Sequence, residues 1–345
     1  MNRLTLSDAE ITSIKQLVRG LTSQYDSVEA PPFLKDISVY AHELPRRVRM
    51  FLNDFKVLEP RPGICVVSGY PVDDERIGPT PKHWANRDSP SATLEEEMVL
   101  VLFGSLLGEA LGWATQQHGY IVHDVLPIAG NEQLQLGTGS QQPLWWHNED
   151  AFHNLRGDYL GLLCLRNPDH VCTTFASVDM LELSEEQTRI LSEERFYIRP
   201  DESHSIQNRT PWESQNGDGE RLQSAYKKLE EMNAQPAELA VLFGDPRSPY
   251  IRIDPYFMNT RPDDVHAERA LSSVINQIDE RLADIVLEPG DFLFIDNYRA
   301  VHGRKPFVAR YDGKDRWLKR INVTRDLRKS RYARKRCDSR IIFTF

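Results

Sequence analysis

The sequence predicts an α+β fold, in which a helical layer leads into an antiparallel sandwich or barrel. Two changes of texture and one absence carry that prediction. Up to about residue 115, apolar positions mostly recur at helical spacing; from residue 145 they gather into short β-type runs closed by Pro, Gly, Asp or Asn. No linker divides the 345 residues, so a single domain spanning 1–345 is expected. Its helical layer covers about 1–115 and its strand-rich core about 116–325.

Ser7-Asp8-Ala9-Glu10 fits a capping box, followed by Ile11, Ile14, Leu17, Val18 and Leu21 on one helical face. ELPRRVRMFLNDF predicts a second helix with Pro45 in its first turn. GICVVSGY is a short buried strand, and TLEEEMVLVLFGSLLGEALGWA a long, mostly apolar helix. The later runs DYLGLLCLRN, TTFASV, SPYIRID, IVLEPGDFLFIDN and RWLKRINV read as strands. They are interrupted by helices in SEEQTRILSEER and PDDVHAERALSSVINQIDERLAD. The polar stretch 201–222 is long for a plain connection and reads as a lid or binding loop.

The net charge of −9 argues against bulk nucleic-acid binding, and the basic run RDLRKSRYARKRCDSR reads as a solvated or helix-packing tail. No apolar run approaches the roughly 20 residues a membrane span needs, and MNRLTLSDAE lacks a signal-peptide core. The cysteines Cys65, Cys164, Cys172 and Cys337 show no CxxC spacing and read as reduced thiols, with Cys164 buried in a strand. A cytoplasmic protein is expected; a homodimer is compatible with the sequence.

PLWWHNEDAFHN concentrates chemistry. A His two positions before an acid arises about once or twice by chance in this composition, and the chain has two cases, His147-x-Glu149 and His266-x-Glu268. His266 lies in a helical pattern, where positions i and i+2 point about 200° apart and cannot share an ion. His147 ends a strand-like run, where i and i+2 face the same way and can chelate. His302, just beyond the strand in LEPGDFLFIDN, offers a third ligand. Two imidazoles and a carboxylate make the facial set of non-haem iron(II) oxygenases, but they also serve zinc hydrolases. His153, Asp150 and Phe152 are candidates for orienting the ligands. Read as a strand, DRWLKRINV places Arg316, Leu318, Arg320 and Asn322 on one face, and two guanidinium forks on one face suit two carboxylates.

These residues, with the segments AHELPRR, GWATQQ, HNEDAFH, LGLLCLRNPDH, PDESH, IDNYRAVHGRKPF and DRWLKRINVT, resemble the iron(II)/2-oxoglutarate-dependent oxygenases of the clavaminate synthase-like family. The similarity covers most of the chain and is greatest to the free L-arginine hydroxylases of antibiotic biosynthesis. It implies a double-stranded β-helix (jelly-roll) core packed by helices. It also implies iron(II) held by His147, Glu149 and His302, with 2-oxoglutarate and dioxygen as co-substrates. By the same resemblance Arg316 and Thr173 hold the distal carboxylate of 2-oxoglutarate, while Arg320 and Gln116 take the carboxylate and amino group of a free amino acid. Asp201, Ser203, Asp254 and the second oxygen of Glu149 surround its far end. The implied reaction hydroxylates Cβ or Cγ of L-arginine or a close guanidino amino acid, releasing succinate and CO2. Some arginine hydroxylases carry an acid two residues after the place of Asp254; Tyr256 stands here, which leaves room for the ureido group of citrulline.

Overall fold

The computed structural model describes residues 2–205 and 218–343. Two sheets face each other. The larger has eight strands, in the order Asn2–Thr5, Ile64–Ser68, Phe292–Asp296, Tyr159–Arg166, Trp317–Thr324, Glu109–Trp113 and Ile341–Ile342, with Val122–Val125 also paired to Trp317–Thr324. The smaller has four: Ala283–Val286, Cys172–Ser177, Ala300–Arg304 and Leu144–His147. All pairings are antiparallel except at the two edges of the larger sheet. Val66, Leu162, Leu293 and Leu318 meet Phe175, Ile285 and Ala300 in the core between the sheets, the arrangement of a jelly roll. Trp317, Ile321 and Val323 point the other way, into a second core roofed by the N-terminal helices.

The capping box at Ser7 starts the helix Asp8–Thr22 as expected. Pro45 is the N-cap of the helix Arg46–Leu58 and does not lie within its first turn. The helix Pro31–Ala41, opened by two prolines, was not anticipated. The long apolar helix is shorter than its pattern: it runs Leu94–Leu107, and Glu109–Trp113 is a strand. The break falls at Gly108, where a Cβ would lie 2.2 Å from the carbonyl oxygen of Thr324, so the chain passes there only without a side chain. The N-terminal layer thus contributes three strands to the larger sheet.

IVLEPGDFLFIDN is two strands in different sheets, separated by a turn whose Gly290 has φ 86° and would place a Cβ 1.7 Å from Tyr70 O. His302 does not trail that strand; the chain turns at 297–299 and His302 sits within the strand Ala300–Arg304. In the stretch 201–222, Glu202–His204 forms a 3-10 turn and a helix spans Gly219–Ala234; the remainder of the expected loop, 206–217, lies outside the described residues. That helix, with Glu185–Leu191 and Val265–Arg281, covers the outer face of the smaller sheet. His266 and Glu268 are exposed on Val265–Arg281 and hold nothing in common. Cys164 is buried in its strand, and all four cysteines are free thiols. In the basic tail, buried Arg334 and Arg340 donate to the carbonyls of Cys337 at 2.8 Å and Leu34 at 2.9 Å, so part of the tail is packing structure. Among the described residues, no helix is long and apolar enough to cross a membrane.

The strand Trp317–Thr324 is fixed from behind by buried charge. Lys319, 1% exposed, meets Glu97 at 3.0 Å and Asp124 at 2.5 Å. Arg87 adds a contact to Glu97 at 3.0 Å, and Trp317 Nε1 donates to Asp124 at 2.7 Å. Burial opposes ionisation of Glu97, but Lys319 and Arg87 outweigh it and hold its pKa down at about 2. Removing one member leaves a charge in an apolar layer. Lys319→Ala is therefore expected to lower the unfolding free energy by about 3–5 kcal/mol in urea titration. A change below about 1 kcal/mol would show that the cluster does not anchor the strand.

Candidate metal centre and substrate cavity

Register between two strands of the smaller sheet assembles the metal ligands. His147, the last residue of Leu144–His147, lies directly opposite His302 of Ala300–Arg304. The loop that follows is pinned by two buried asparagines. Asn148 donates to Asn297 O at 2.9 Å and Ala300 O at 3.0 Å, and accepts from Ile253 N at 2.9 Å. Asn297 brackets the ligand backbone, accepting from Glu149 N at 2.7 Å and donating to Glu149 O at 2.9 Å. Glu149 Oε2 is thereby set 3.7 Å from His147 Nε2 and 3.5 Å from His302 Nε2. His147 Nδ1 donates to Trp145 O at 2.8 Å, which leaves the Nε2 lone pair for an ion. Three ligand atoms, all within 4.8 Å of one another, converge on one point, and two nitrogens with one oxygen fit iron(II).

Arg316 lies deeper and is 5% exposed. Its Nη2 donates to Thr173 Oγ1 at 3.3 Å, and among the described residues no acid pairs with it. Burial lowers its pKa to about 10, so it stays charged. An uncompensated buried guanidinium is a receptor for an anion. Thr173, not its neighbour Thr174, lines the cavity.

Arg320 is engaged on several sides. Nη1 pairs with Glu149 Oε1, and Nη2 donates to His123 Nδ1 at 2.8 Å and Gln116 Oε1 at 3.4 Å. His123 gives its other nitrogen to Tyr120 O at 2.9 Å and so offers Nδ1 as an acceptor. Burial, then the charge of Arg320, hold its pKa well below the usual histidine value, which keeps the ring neutral. Burial disfavours the Glu149 anion, yet Arg320 and the two histidines hold it ionised well below the ordinary range.

Asp254 is buried, and among the described residues no Lys or Arg pairs with it; it accepts from Phe257 N at 3.4 Å. Burial raises its pKa to about 6, with the charge of Asp201 adding to the rise and His147 and the backbone N–H groups of Phe257 and Tyr256 opposing it. Asp201 accepts from Ser203 N at 2.8 Å and from the Ser203 hydroxyl. Gln116 Nε2 donates to Ser203 Oγ at 2.6 Å, leaving Oε1 towards Arg320. Asp150 serves a different set from the iron ligands, accepting from Trp113 Nε1 at 2.5 Å and Asn322 Nδ2 at 3.3 Å and meeting His204 Nε2 at 3.0 Å. His204 Nδ1 meets Thr115 Oγ1 at 2.7 Å. Asp150, Asp201 and His204 also converge, but this histidine uses both nitrogens on side chains. His153 Nδ1 accepts from Leu155 N at 2.9 Å and its ring meets Trp113 edge-on, so it braces that loop.

The triad, Arg316, Thr173, Arg320, Asp201, Ser203 and Asp254 all line one cavity of about 840 Å³, mouth included. Gln116 borders the adjoining cavity, which shares Arg320 and Ser203 with the first. The expected site residues are thus brought together. Sequence reasoning missed Asn148, Asn297, His123 and His204. Their roles depend on partners at least 54 residues away in most cases, such as Arg320 for His123, and no local pattern announces them.

Comparison with known proteins places this geometry. The chain is 45% identical to the enduracididine beta-hydroxylase of Streptomyces hygroscopicus, over 99% of this chain and 100% of the relative. It is 41% identical to the L-ornithine/L-arginine 3-hydroxylase of Catenulispora acidiphila, again over 99% and 100%. The crystal structure of the non-heme iron oxygenase OrfP with Fe, succinate and (3S)-hydroxy-L-Arg superimposes with a TM-score of 0.93 at 44% identity, covering 99% of this chain and 100% of that one. Residues 94–322, which hold every expected ligand and cavity residue, match the family described as taurine catabolism dioxygenase TauD, TfdA family. The chain belongs to the TauD/TfdA dioxygenase family.

Proposed function

We propose that this protein is an iron(II)- and 2-oxoglutarate-dependent hydroxylase of free L-arginine or a close guanidino amino acid, acting at Cβ or Cγ and releasing succinate and CO2. The observation that carries the proposal is the pair of buried charges that line the cavity with the triad and have no salt-bridge partner among the described residues, Arg316 and Asp254, the latter influenced only by the nearby ligand His147 among the basic groups that act on it. A buried charge without a partner is unfavourable, so each side calls for a ligand of opposite sign. A dicarboxylate co-substrate and a cationic side chain meet both demands. A zinc hydrolase gives no reason for Arg316, and the family of the chain is one of dioxygenases.

His147, Glu149 and His302 hold the iron and leave three positions open. The bound iron supplies oxidative decarboxylation of 2-oxoglutarate and insertion of one oxygen atom of O2 into an unactivated C–H bond. Arg316, helped by the Thr173 hydroxyl, grips the distal carboxylate of 2-oxoglutarate with a planar fork. Arg320 takes the substrate carboxylate, and Gln116 Oε1 accepts from its ammonium. Glu149 divides its oxygens, Oε2 towards the metal and Oε1 towards Arg320 and the amino-acid end. Asp254 and Asp201 with Ser203 receive the guanidinium. Holding the amino acid at both ends presents the carbons next to its backbone to the metal and excludes water from the reacting centre. The β- and 3-positions named for two relatives support Cβ.

Incubating the protein with a panel of free amino acids, iron(II), 2-oxoglutarate and oxygen, and reading products by mass spectrometry, tests the proposal: arginine or a guanidino analogue should gain one oxygen atom. His147→Ala, Glu149→Ala and His302→Ala should each abolish substrate-dependent succinate formation and iron binding while circular dichroism stays unchanged. Near-normal turnover in any one would remove that residue from the triad. Arg316→Ala should raise the KM for 2-oxoglutarate by roughly 30-fold or more with little change in amino-acid KM, while Arg320→Ala should raise the amino-acid KM by a smaller factor, because Glu149, His123 and Gln116 already hold that side chain, with little change for 2-oxoglutarate. If both act on the same ligand, the division of roles is wrong. Asp254→Ala should lower kcat/KM for arginine by roughly 30-fold or more, because a buried charged contact is lost. Citrulline turned over much faster than arginine by the unaltered protein would show that Asp254 accepts from a ureido NH instead.

A further inference from the structure

Two aromatic rings frame the cavity beside Asp254. Trp145 and Tyr256 line it with that acid, their centroids 6.5 Å apart and their planes at 60°. Both remain open to solvent, Trp145 43% and Tyr256 50% exposed. An exposed apolar patch of this kind at the rim of a cavity marks a place for a ligand contact. Asp254 and Tyr256 belong to one turn, closed by the bond from Phe257 N to Asp254 Oδ1 at 3.4 Å. The Phe257 ring meets the edge of Tyr256 at 4.9 Å, and Gln135 Oε1 accepts from Trp145 N at 3.1 Å. Acid and ring are therefore delivered to the same place by the same few residues.

We propose that Tyr256, backed by Trp145, is a specificity-determining contact that takes the flat face of a guanidinium while Asp254 bonds its edge. The inference rests on the guanidino-substrate proposal above. A guanidinium is planar and weakly hydrated, so it can lie on a ring and keep its in-plane N–H groups free for a carboxylate. An ammonium has no face and is more strongly hydrated, so an acid-plus-ring box favours arginine over ornithine. Stacking on Tyr256 then does what a second carboxylate would do by charge.

The test compares Tyr256→Leu and Tyr256→Phe with the unaltered protein, loaded with iron(II) and 2-oxoglutarate. Neither substitution touches the buried core. KM and kcat are measured for L-arginine and L-ornithine, and dissociation constants for both by calorimetry without oxygen. Tyr256→Leu should weaken arginine binding about 5- to 10-fold and ornithine less than about twofold, with kcat held within about threefold. Tyr256→Phe keeps the ring face and should stay within about twofold for both. An unchanged arginine-to-ornithine ratio in Tyr256→Leu overturns the proposal, as does an equal loss in Tyr256→Phe, which would assign the effect to the hydroxyl. If the unaltered protein binds no guanidino amino acid, the substrate proposal fails and the contact with it; failure of the contact alone leaves arginine turnover by the unaltered protein intact.

Discussion

The pleat of one strand, Trp317–Thr324, governs the site. It sits inside the larger sheet, paired along its length with Tyr159–Arg166 and on its other side with Val122–Val125 and Glu109–Trp113. Strand side chains alternate between faces, so this position sends Trp317, Lys319, Ile321 and Val323 to the helical layer and Arg316, Leu318 and Arg320 towards the cavity, with Asn322 donating to Asp150. A slip of one residue would bury the wrong set on both faces. The Lys319 cluster opposes such a slip from behind, since it binds only a cation. His123 opposes it from the side, lying directly across from Arg320 and accepting its N–H. Arg316 and Arg320 are therefore placed by the same register that builds the core.

The smaller sheet applies the same logic to the metal. His147 and His302 face each other because their strands pair there, and Glu149 joins them only because Asn148 and Asn297 hold the loop beyond the strand. Asp150, at φ 50°, turns the chain immediately afterwards. The ligand set is thus partly strand and partly clipped loop. Both asparagines make their bonds to backbone, so the clip depends on no further side chain.

Much of this was legible beforehand because period-two geometry is local. Helix geometry alone separates His266 and Glu268, and the alternation in DRWLKRINV puts Arg316 and Arg320 on one face; His147 does end a strand, but Glu149 joins it from the clipped loop beyond and not by strand alternation. What stayed hidden depends on distant partners. Nothing near Gly108 says that Thr324 will pass 2.2 Å from its missing Cβ, yet that contact ends the helix and starts a strand. His302 was placed past a strand end because the tight turn 297–299, which returns the chain to the other sheet, carries no Gly or Pro. Gly219–Ala234 escaped notice because its weak, polar amphipathic pattern follows a long polar stretch. The pairing of His123 with Arg320 joins positions 197 residues apart.

The charges of the cavity differ in how far they are satisfied before anything binds, and this decides what each contributes. Arg320 already has Glu149, His123 and Gln116, so a substrate carboxylate exchanges one set of partners for another, and the net gain is small. Its main contribution is orientation, fixing the amino-acid end against the ligand Glu149. Arg316 and Asp254 have no salt-bridge partner among the described residues, and filling either one would relieve a cost already built into the folded protein. On the proposed function, affinity would come chiefly from Arg316 and Asp254, through the distal carboxylate of 2-oxoglutarate and the guanidinium. Position comes from the middle, beside the metal, where the reacting carbon must be held.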